Sequence, residues 1–222
     1  MTNFIVAAYY TAGTGYQAEA EKLRASLVKF GIDHWVAEVP NLGSWQKNTQ
    51  YKAKFVFETL TQGAYLGDAR PIVFVDADAI FHAYPELFDT LDADAAFAWR
   101  DYSKFPSASS RTRRELLSGT IFLRNTEAVR SFVQEWIAEN ERQPTAWEQR
   151  NLQAVVARAD GKLRIAELPP TYCKIFDIMR DAGPAVIEHY QKSRVYRRQV
   201  DQRPAPFGPG PFVRREATRG PR

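Results

Sequence analysis

Pro71-Ile-Val-Phe-Val-Asp-Ala-Asp78 contains the strongest strand signal of the chain. Its first half is apolar and rich in β-branched residues, which predicts a buried strand over residues 71–75. Two carboxylates, Asp76 and Asp78, follow this strand directly. In an open α/β sheet, ligands bind beyond the carboxyl ends of the strands. The stretch therefore predicts an α/β domain that carries Asp76 and Asp78 at its binding edge.

Strands and helices alternate along the rest of the chain. This alternation is typical of a mostly parallel central sheet flanked by helices. The sequence predicts further strands over 4–10, 34–39, 95–99, 120–123, 163–168 and 186–190. It predicts helices over about 16–30, from Asn48 as a cap to about Leu60, over 127–140 and over 147–159. The polar stretch 101–114 is predicted to be a long loop, and loops of that length are often functional.

The chain length and the distribution of charge predict one domain followed by a tail. The chain has 222 residues, 45% of them hydrophobic, which suits a single α/β domain with a substantial core. Residues 191–222 carry a formal charge of +7, which leaves −3 for residues 1–190 out of the overall +4. The same segment is rich in Pro and Gly, so it lacks the apolar surface needed to fold alone. We predict a domain over 1–190 and a basic tail over 191–222.

The apolar segments and the single cysteine indicate in which cellular compartment the protein is expected. All apolar runs are brief and none follows a basic stretch, so the sequence predicts neither a transmembrane helix nor a signal peptide. Cys173 is the one cysteine and cannot form an internal disulfide. We therefore expect a cytoplasmic protein.

Asp-Ala-Asp occurs a second time, at 92–94, where it precedes the predicted strand 95–99 instead of following a strand. That pair is expected at the opposite edge of the sheet. Asp76 and Asp78 can point toward one cation, and carboxylate oxygens suit Mg²⁺ or Mn²⁺, which would bridge a diphosphate. The alternative is that both aspartates cap a turn or the next helix.

Val73-Phe-Val-Asp-Ala-Asp-Ala79 resembles the Asp-x-Asp segment of the GT-A nucleotide-diphospho-sugar transferases. Four other segments resemble motifs of that family in the same order: Trp45-x-x-Asn48-x-x-x-Lys52, Leu117-Ser-Gly-Thr-Ile-Phe122, Trp147-Glu-Gln-x-x-Leu-Gln153 and Ile187-Glu-His-Tyr-Gln-Lys-Ser-Arg194. The last segment lacks the Gly and Lys-Pro-Trp pattern of the best-known retaining branch. The resemblance implies a single GT-A (Rossmann-like) domain and a metal-dependent glycosyltransferase. Such an enzyme moves a sugar from a nucleoside-diphosphate sugar, with a UDP-sugar favoured, to an acceptor hydroxyl.

The resemblance also implies a metal site of Asp76, Asp78 and His189. Asp78 and His189 are expected to bind directly, and Asp76 through water or by holding the donor ribose. Mixed carboxylate and imidazole ligands favour Mn²⁺ over Mg²⁺. Lys192 and Arg194 are expected to add charge beside the leaving diphosphate. The alternative for His189 is a hydrogen-bonded core residue. Similarity to the histidine-containing members implies retention of configuration.

Three residues at the end of the first strand are candidates for the nucleobase, namely Tyr9, Tyr10 and Thr11. Alternate residues of a strand face opposite sides, so at most one of the two tyrosines is expected to stack and packing is the alternative role. The other predicted donor contacts are Trp45, Asn48, Lys52, Asp76, Ser118 and Gly119. Lys52 is alternatively a solvated helix residue, and Gly119 alternatively marks a bulge.

The predicted residues beside sugar and acceptor are Gln149, Glu148 and Asp101. Thr145-Ala-Trp-Glu148 also fits a capping box, in which Glu148 folds back onto the helix start. Capping is the favoured role for Glu148, which makes Gln149 the better candidate for positioning sugar or acceptor.

The basic tail suggests a polyanionic partner, because Lys and Arg neutralise phosphates. Tyr196, Phe207 and Phe212 would stack on bases or enter a membrane interface, and a solubilising tail is the alternative. Nucleic acid is one candidate acceptor, for instance a hydroxymethylated base of the kind some bacteriophages glycosylate. Protein and cell-envelope glycan are others. Two rival functions are a nucleotidyltransferase, which needs a Gly-rich basic signature after the first strand, and a catalytically inactive nucleic-acid-binding relic.

Overall fold

The structure of the protein is a computed structural model that describes residues 1–101 and 114–201, without the side chains of residues 199 and 200. The predicted loop 101–114 and the tail beyond residue 201, with Phe207 and Phe212, lie largely outside this range. The strands are β1 (Ile5–Thr11), β2 (His34–Val39), β3 (Ile72–Val75), β4 (Ala79–Phe81), β5 (Ala95–Asp101), β6 (Arg114–Leu123), β7 (Ile165–Leu168), β8 (Lys174–Ile175) and β9 (Ile187–His189). The α-helices are α1 (Tyr16–Lys29), α2 (Trp45–Tyr65), α3 (Leu87–Thr90), α4 (Glu127–Arg142), α5 (Glu148–Arg158) and α6 (Ser193–Asp201).

Six strands form the central sheet, in the order β2-β1-β3-β6-β5-β7. β6 runs antiparallel to both of its neighbours, and the other pairs are parallel. The predicted α/β architecture is therefore confirmed. β6 begins at Arg114, six residues before the predicted start at Thr120, because its first half contains charged and small residues that break the apolar pattern.

Side chains of β3 alternate between the two faces of the sheet, and those on both faces are buried. Val73 and Val75 pack with Leu23 and Leu27 of α1. On the other face, Phe74 packs with residues of α2 and α4, among them Phe55 and Trp136. A strand covered on both faces is apolar throughout, which is the pattern that the sequence shows.

A second, three-stranded sheet contains one predicted strand, since β9 lies within the predicted strand 186–190, whereas β4 and β8 were not predicted. Its order is β4-β9-β8, and each strand has only two or three residues. β4 and β8 are too short to produce a recognisable alternation of apolar residues. This small sheet matters for function, because β4 follows the Asp-x-Asp turn and β9 carries His189.

The start of α2 corrects one prediction. The helix begins at Trp45, and Ser44 is its cap, since the Ser44 hydroxyl accepts a hydrogen bond from Lys47 N at 3.2 Å. Asn48, which was predicted to be the cap, lies inside the helix and its side chain accepts from Leu42 N at 2.7 Å. The error arose because Ser44 and Asn48 both suit a helix start. Within the described residues no helix has the length and apolar character required to span a bilayer.

Candidate active site

The turn after β3 brings the first aspartate pair next to His189. β4 pairs with β9 so that Ala79 lies opposite His189. His189 Nδ1 is 3.8 Å from Asp78 Oδ1, and both residues are buried. Asp76 is anchored in the same turn, since its backbone N–H donates to Gly119 O on β6 at 2.9 Å. Residues separated by more than one hundred positions thus meet at one sheet edge.

Asp76, Asp78 and His189 fit a divalent cation. One ligand atom from each residue lies within 4.8 Å of the others, and within residues 1–101 and 114–201 no other group of three or more such residues does so. Ligands on opposite sides of Mg²⁺ are about 4 Å apart, so small side-chain movements suffice. His189 Nε2 is 2.9 Å from Thr120 Oγ1, which leaves Nδ1 buried and without a hydrogen-bond partner on the carboxylate side. A cation bound there would give this orphaned nitrogen a partner.

The surrounding residues hold Asp78 in its charged form. Burial alone would raise the pKa of this carboxyl, but His189 and the backbone N–H of Lys192, 2.7 Å from Asp78 Oδ2, lower it below its usual value. Burial likewise would lower the pKa of His189, whereas Cys173 and Asp78 beside the imidazole raise it to about 10. At neutral pH Asp78 is therefore ionised and His189 carries a proton, which a cation bound at Nδ1 would displace.

Lys52 links this site to the start of α5. Its ammonium lies 2.9 Å from Asp76 Oδ1 and 3.1 Å from Glu148 Oε1, and it donates to Ser118 O at 3.0 Å. The residue is only 4% exposed. Burial would lower the pKa of Lys52, but Asp76 and Glu148 raise it above its ordinary value. Lys52 is thus a buried cation between two carboxylates, which excludes the solvated helix role.

Glu148 does not form the predicted capping box. α5 begins at Glu148 itself, with Trp147 as its cap residue and no capping hydrogen bond from a side chain. Thr145 lies too early to be the cap, because the loop from α4 continues to Trp147. Glu148 instead accepts from the Ser118 hydroxyl at 3.2 Å, and burial raises its pKa despite the opposing effect of Lys52. Gln149 accepts from Ser118 N at 3.2 Å and donates to Glu115 at 2.9 Å.

A cavity of about 480 Å³ collects most of the predicted site residues. Its lining includes Tyr9, Tyr10, Thr11, Trp45, Asn48, Lys52, Asp76, Asp78, Ser118, Gly119, Glu148, Gln149, His189 and Arg194. Asp101 and Lys192 are not part of the lining. Asp101 ends β5 in register with Arg114, and the Lys192 ammonium lies 3.5 Å from Glu19.

The two tyrosines of β1 face opposite sides of the sheet, as expected. Tyr9 donates to Asn48 O at 2.6 Å and packs between aromatic rings of the α2 side. Tyr10 is 5% exposed, and the Arg24 guanidinium lies 5.7 Å from the centre of its ring. Both rings thus make extensive packing contacts, and both residues contribute to the cavity wall.

Helix α6, which begins in the predicted tail, packs beside the cavity. The Tyr196 ring lies edge-on to Tyr16, and a Cβ on Gly15 would come within 2.3 Å of it, so only glycine permits this approach. Asp201 accepts from Trp45 N at 2.6 Å, and the Arg197 guanidinium lies 4.7 Å from the centre of the Trp45 ring. Ser193 and Arg194 line the cavity, and the rest of α6 packs on Tyr16 and Trp45 beside it.

Several lining residues were not predicted to be part of the site, among them Tyr16, Arg100, Glu115, Trp147, Cys173 and Gln191. Tyr16 directly follows the glycine-containing loop after β1, and that position is a usable signal. Glu115 and Trp147 lie within or next to recognised motifs, but only the packing of α5 on β6 makes them neighbours. Cys173 lies next to His189 because of the small sheet, and the sequence did not indicate how the strands of that sheet pair.

The second Asp-Ala-Asp lies at the opposite edge of the sheet, as predicted. Arg164 is 2.8 Å from Asp92 and 3.6 Å from Asp94, and Arg124 is 3.3 Å from Asp92. These exposed ion pairs join the start of β5 to its neighbours. The two copies of the same tripeptide thus have different roles because they lie at opposite ends of strands.

The fold and the acidic site define a sugar-nucleotide enzyme. Residues 43–197 match the family model described as nucleotide-diphospho-sugar transferase, and the chain belongs to that family. The chain is accordingly a nucleotide-sugar-dependent glycosyltransferase of the GT-A fold. Among curated protein sequences, none matches the chain significantly.

Solved glycosyltransferase structures share the fold at low sequence identity. One is a glycosyltransferase involved in glycosylation of the major capsid of PBCV-1, with 12% identity, a TM-score of 0.61 and coverage of 90% of this chain and 96% of that one. Another is apo GlyE from Streptococcus pneumoniae TIGR4, with 15% identity, a TM-score of 0.54 and coverage of 86% and 55%. A third is the galactosyltransferase LgtC in complex with donor and acceptor sugar analogs, with 10% identity, a TM-score of 0.51 and coverage of 84% and 87%.

Proposed function

We propose that this protein is a Mn²⁺-dependent retaining glycosyltransferase that uses a UDP-sugar as donor. The observation that carries the proposal is the convergence of Asp76, Asp78 and the orphaned His189 Nδ1 in one cavity with Lys52 and Glu148. Mixed carboxylate and imidazole ligands favour Mn²⁺ over Mg²⁺. The preference for UDP and the retention of configuration rest on the resemblance of the motifs.

Each part of the cavity has a separate task in this proposal. Asp76, Asp78 and His189 would hold the cation, which would supply positive charge to the leaving diphosphate. Lys52 keeps Asp76 and Glu148 in fixed positions. Gly119 leaves room for the imidazole, since a Cβ there would lie 3.0 Å from the His189 ring. Gln149 and Ser118 form the wall beside the sugar, and Arg194 adds positive charge at the cavity edge while it pairs with Asp177.

Titration calorimetry with UDP tests the nucleotide and the metal together. We expect UDP to bind in the presence of Mn²⁺ and to lose at least about tenfold in affinity when Mn²⁺ is replaced by EDTA, since the diphosphate would then lack the positive charge of a cation held by Asp76, Asp78 and His189. A panel of nucleotide sugars, incubated with protein and Mn²⁺, should then release nucleoside diphosphate from one preferred donor. Absence of both UDP binding and donor hydrolysis would favour the inactive relic. Release of pyrophosphate from a sugar phosphate and UTP would identify a nucleotidyltransferase.

Two truncations separate α6 from the tail beyond it. A chain ending at residue 201 retains every described contact of the cavity, so we expect its donor hydrolysis to stay within about twofold of the full chain. A chain ending at residue 192 loses the contacts of Tyr196 and Asp201 with α1 and α2, and we expect UDP affinity to fall roughly tenfold.

The predicted nucleic-acid partner is tested with the same proteins. If the tail binds DNA, the chain ending at 201 binds a duplex more weakly at low salt, and equal affinity would contradict that role.

A further inference from the structure

Trp147 is an exposed tryptophan at the cavity wall, and its side chain does not cap the helix that follows it. It is 47% exposed, although it lies beside the buried Glu148. It occupies the cap position of α5, where Ser, Thr, Asp or Asn would satisfy a backbone N–H, and its side chain makes no capping hydrogen bond. Exposure of a large aromatic side chain is unfavourable in water. At the wall of a cavity, such a side chain is available to cover the apolar face of a ligand.

The turn that carries Trp147 is fixed before any ligand arrives. The side-chain amide of Gln50 donates to three carbonyl oxygens of this turn, those of Gln143 at 3.3 Å, Pro144 at 3.2 Å and Ala146 at 3.0 Å. Gln46 donates to Ala146 O as well. α2 thus holds the turn in place, so a ligand would meet a preorganised surface, which reduces the entropy cost of binding.

The position of Trp147 assigns it to the acceptor side of the cavity. The residue directly precedes Glu148 and Gln149, which contact Ser118 on β6. The predicted nucleobase contacts lie at the end of β1, and β3 with the metal site separates β1 from β6 in the sheet. A donor that reaches from β1 to the metal would leave the α5 side open to the second substrate.

We propose that the acceptor is a glycan and that the indole of Trp147 is the platform on which its pyranose ring stacks. This inference rests on the proposed function. The negative face of an aromatic ring attracts the partly positive C–H groups of a pyranose face. Beside the platform, Glu115 and Gln149 line the cavity, and carboxylate and amide oxygens accept hydrogen bonds from sugar hydroxyls. This aromatic and hydrogen-bonding wall is what favours a glycan, and the oligonucleotide arm of the test below addresses a nucleic-acid acceptor.

Arg150 supports the orientation of the platform. Arg150 lies three residues after Trp147, in the first turn of α5. Its guanidinium is 5.5 Å from the centre of the Trp147 ring. Such a contact restricts the indole and contributes roughly 0.5–1 kcal/mol at an exposed site.

The test compares transfer to saccharides with hydrolysis of the same donor. The donor chosen by the hydrolysis panel is incubated with Mn²⁺ and a panel of methyl pyranosides and disaccharides, or with an oligonucleotide that contains hydroxymethylcytosine. In Trp147→Ala, we expect the ratio of transfer to hydrolysis to fall roughly tenfold through a higher KM for the saccharide, with recovery in Trp147→Phe. The control is Tyr65→Ala, since Tyr65 is 85% exposed at the far end of α2 and does not line the cavity.

The possible outcomes distinguish the two proposals. If the wild-type protein neither binds UDP nor hydrolyses a donor, the proposed function fails. If it hydrolyses a donor but glycosylates only the oligonucleotide, or none of the saccharides, the glycan assignment is wrong. An unchanged ratio in Trp147→Ala, or an equal loss of UDP affinity and saccharide transfer, removes Trp147 from the acceptor side. Saturation-transfer NMR with the preferred saccharide should show contact with pyranose C–H protons in the wild type and not in Trp147→Ala.

Discussion

Asp78→Asn lowers sugar-donor turnover by roughly 10³-fold and leaves the protein folded. The amide keeps the shape of the side chain and an oxygen that can accept from Lys192 N, so the local backbone stays in place. It removes the negative charge that faces His189 and the expected cation. A metal ion contributes several kcal/mol to the stabilisation of a leaving group, and each 1.36 kcal/mol changes the rate tenfold. Donor hydrolysis at saturating Mn²⁺ measures the loss, and thermal unfolding checks the fold.

Asp92→Asn is the matched control for Asp78→Asn. Asp92 begins the second Asp-Ala-Asp, its side chain is 75% exposed, and it makes ion pairs at the opposite edge of the sheet. Exposed ion pairs contribute about 0–1 kcal/mol, so we expect nearly unchanged turnover and stability. Near-normal turnover in Asp78→Asn, or equal losses in the two variants, would refute the metal site at the end of β3.

The sequence predicted the main sheet and the binding edge because both follow from short-range patterns. β3 is buried on both faces and is therefore continuously apolar, and the end of such a strand locates the site. The same reasoning separated Asp76 and Asp78 from Asp92 and Asp94. The structure places His189 beside Asp78 as the motif order implied, although only the pairing of β4 with β9 explains how.

Other features depend on contacts that no local pattern encodes. Lys52 lies on an amphipathic helix, where a lysine usually faces solvent, and its burial follows from the positions of Asp76 and Glu148 on two other elements. The capping-box pattern at Thr145 was misleading because the loop after α4 is held by Gln50, which delays the start of α5. In both cases tertiary contacts overrode a local preference.

Lys52→Met is expected to lower stability by about 3–5 kcal/mol and to reduce donor turnover strongly. The substitution leaves the carboxylates of Asp76 and Glu148 close together without their shared cation, and breaking a buried ion pair has a cost of about this size. For a chain of this length the loss corresponds to a Tm lower by roughly 10 °C. Turnover falls as well, because Asp76 and Glu148 lose the group that fixes their positions.

The pH dependence of this loss identifies its cause. Without Lys52, the pKa of Glu148, which burial already raises, rises further in the folded state. A carboxyl whose folded pKa is raised binds its proton more tightly when folded, so stability falls as pH rises from the unfolded pKa toward the folded pKa. Lys52→Met should therefore be less destabilised at pH 5 than at pH 8. Chemical unfolding of both proteins at the two pH values measures the difference.

Two further variants test whether the burial of the Lys52 charge causes these losses. Lys54→Met changes a neighbouring lysine whose side chain is 62% exposed and 4.0 Å from Glu58, and we expect almost no effect on Tm or turnover. Lys52→Met combined with Glu148→Gln removes both charges, so it should recover part of the lost stability, since neutral groups tolerate burial better than one unpaired charge. It should not recover turnover, because Asp76 still lacks its partner. If Lys52→Met and Lys54→Met behave alike, Lys52 is a solvated side chain and does not link the metal site to α5.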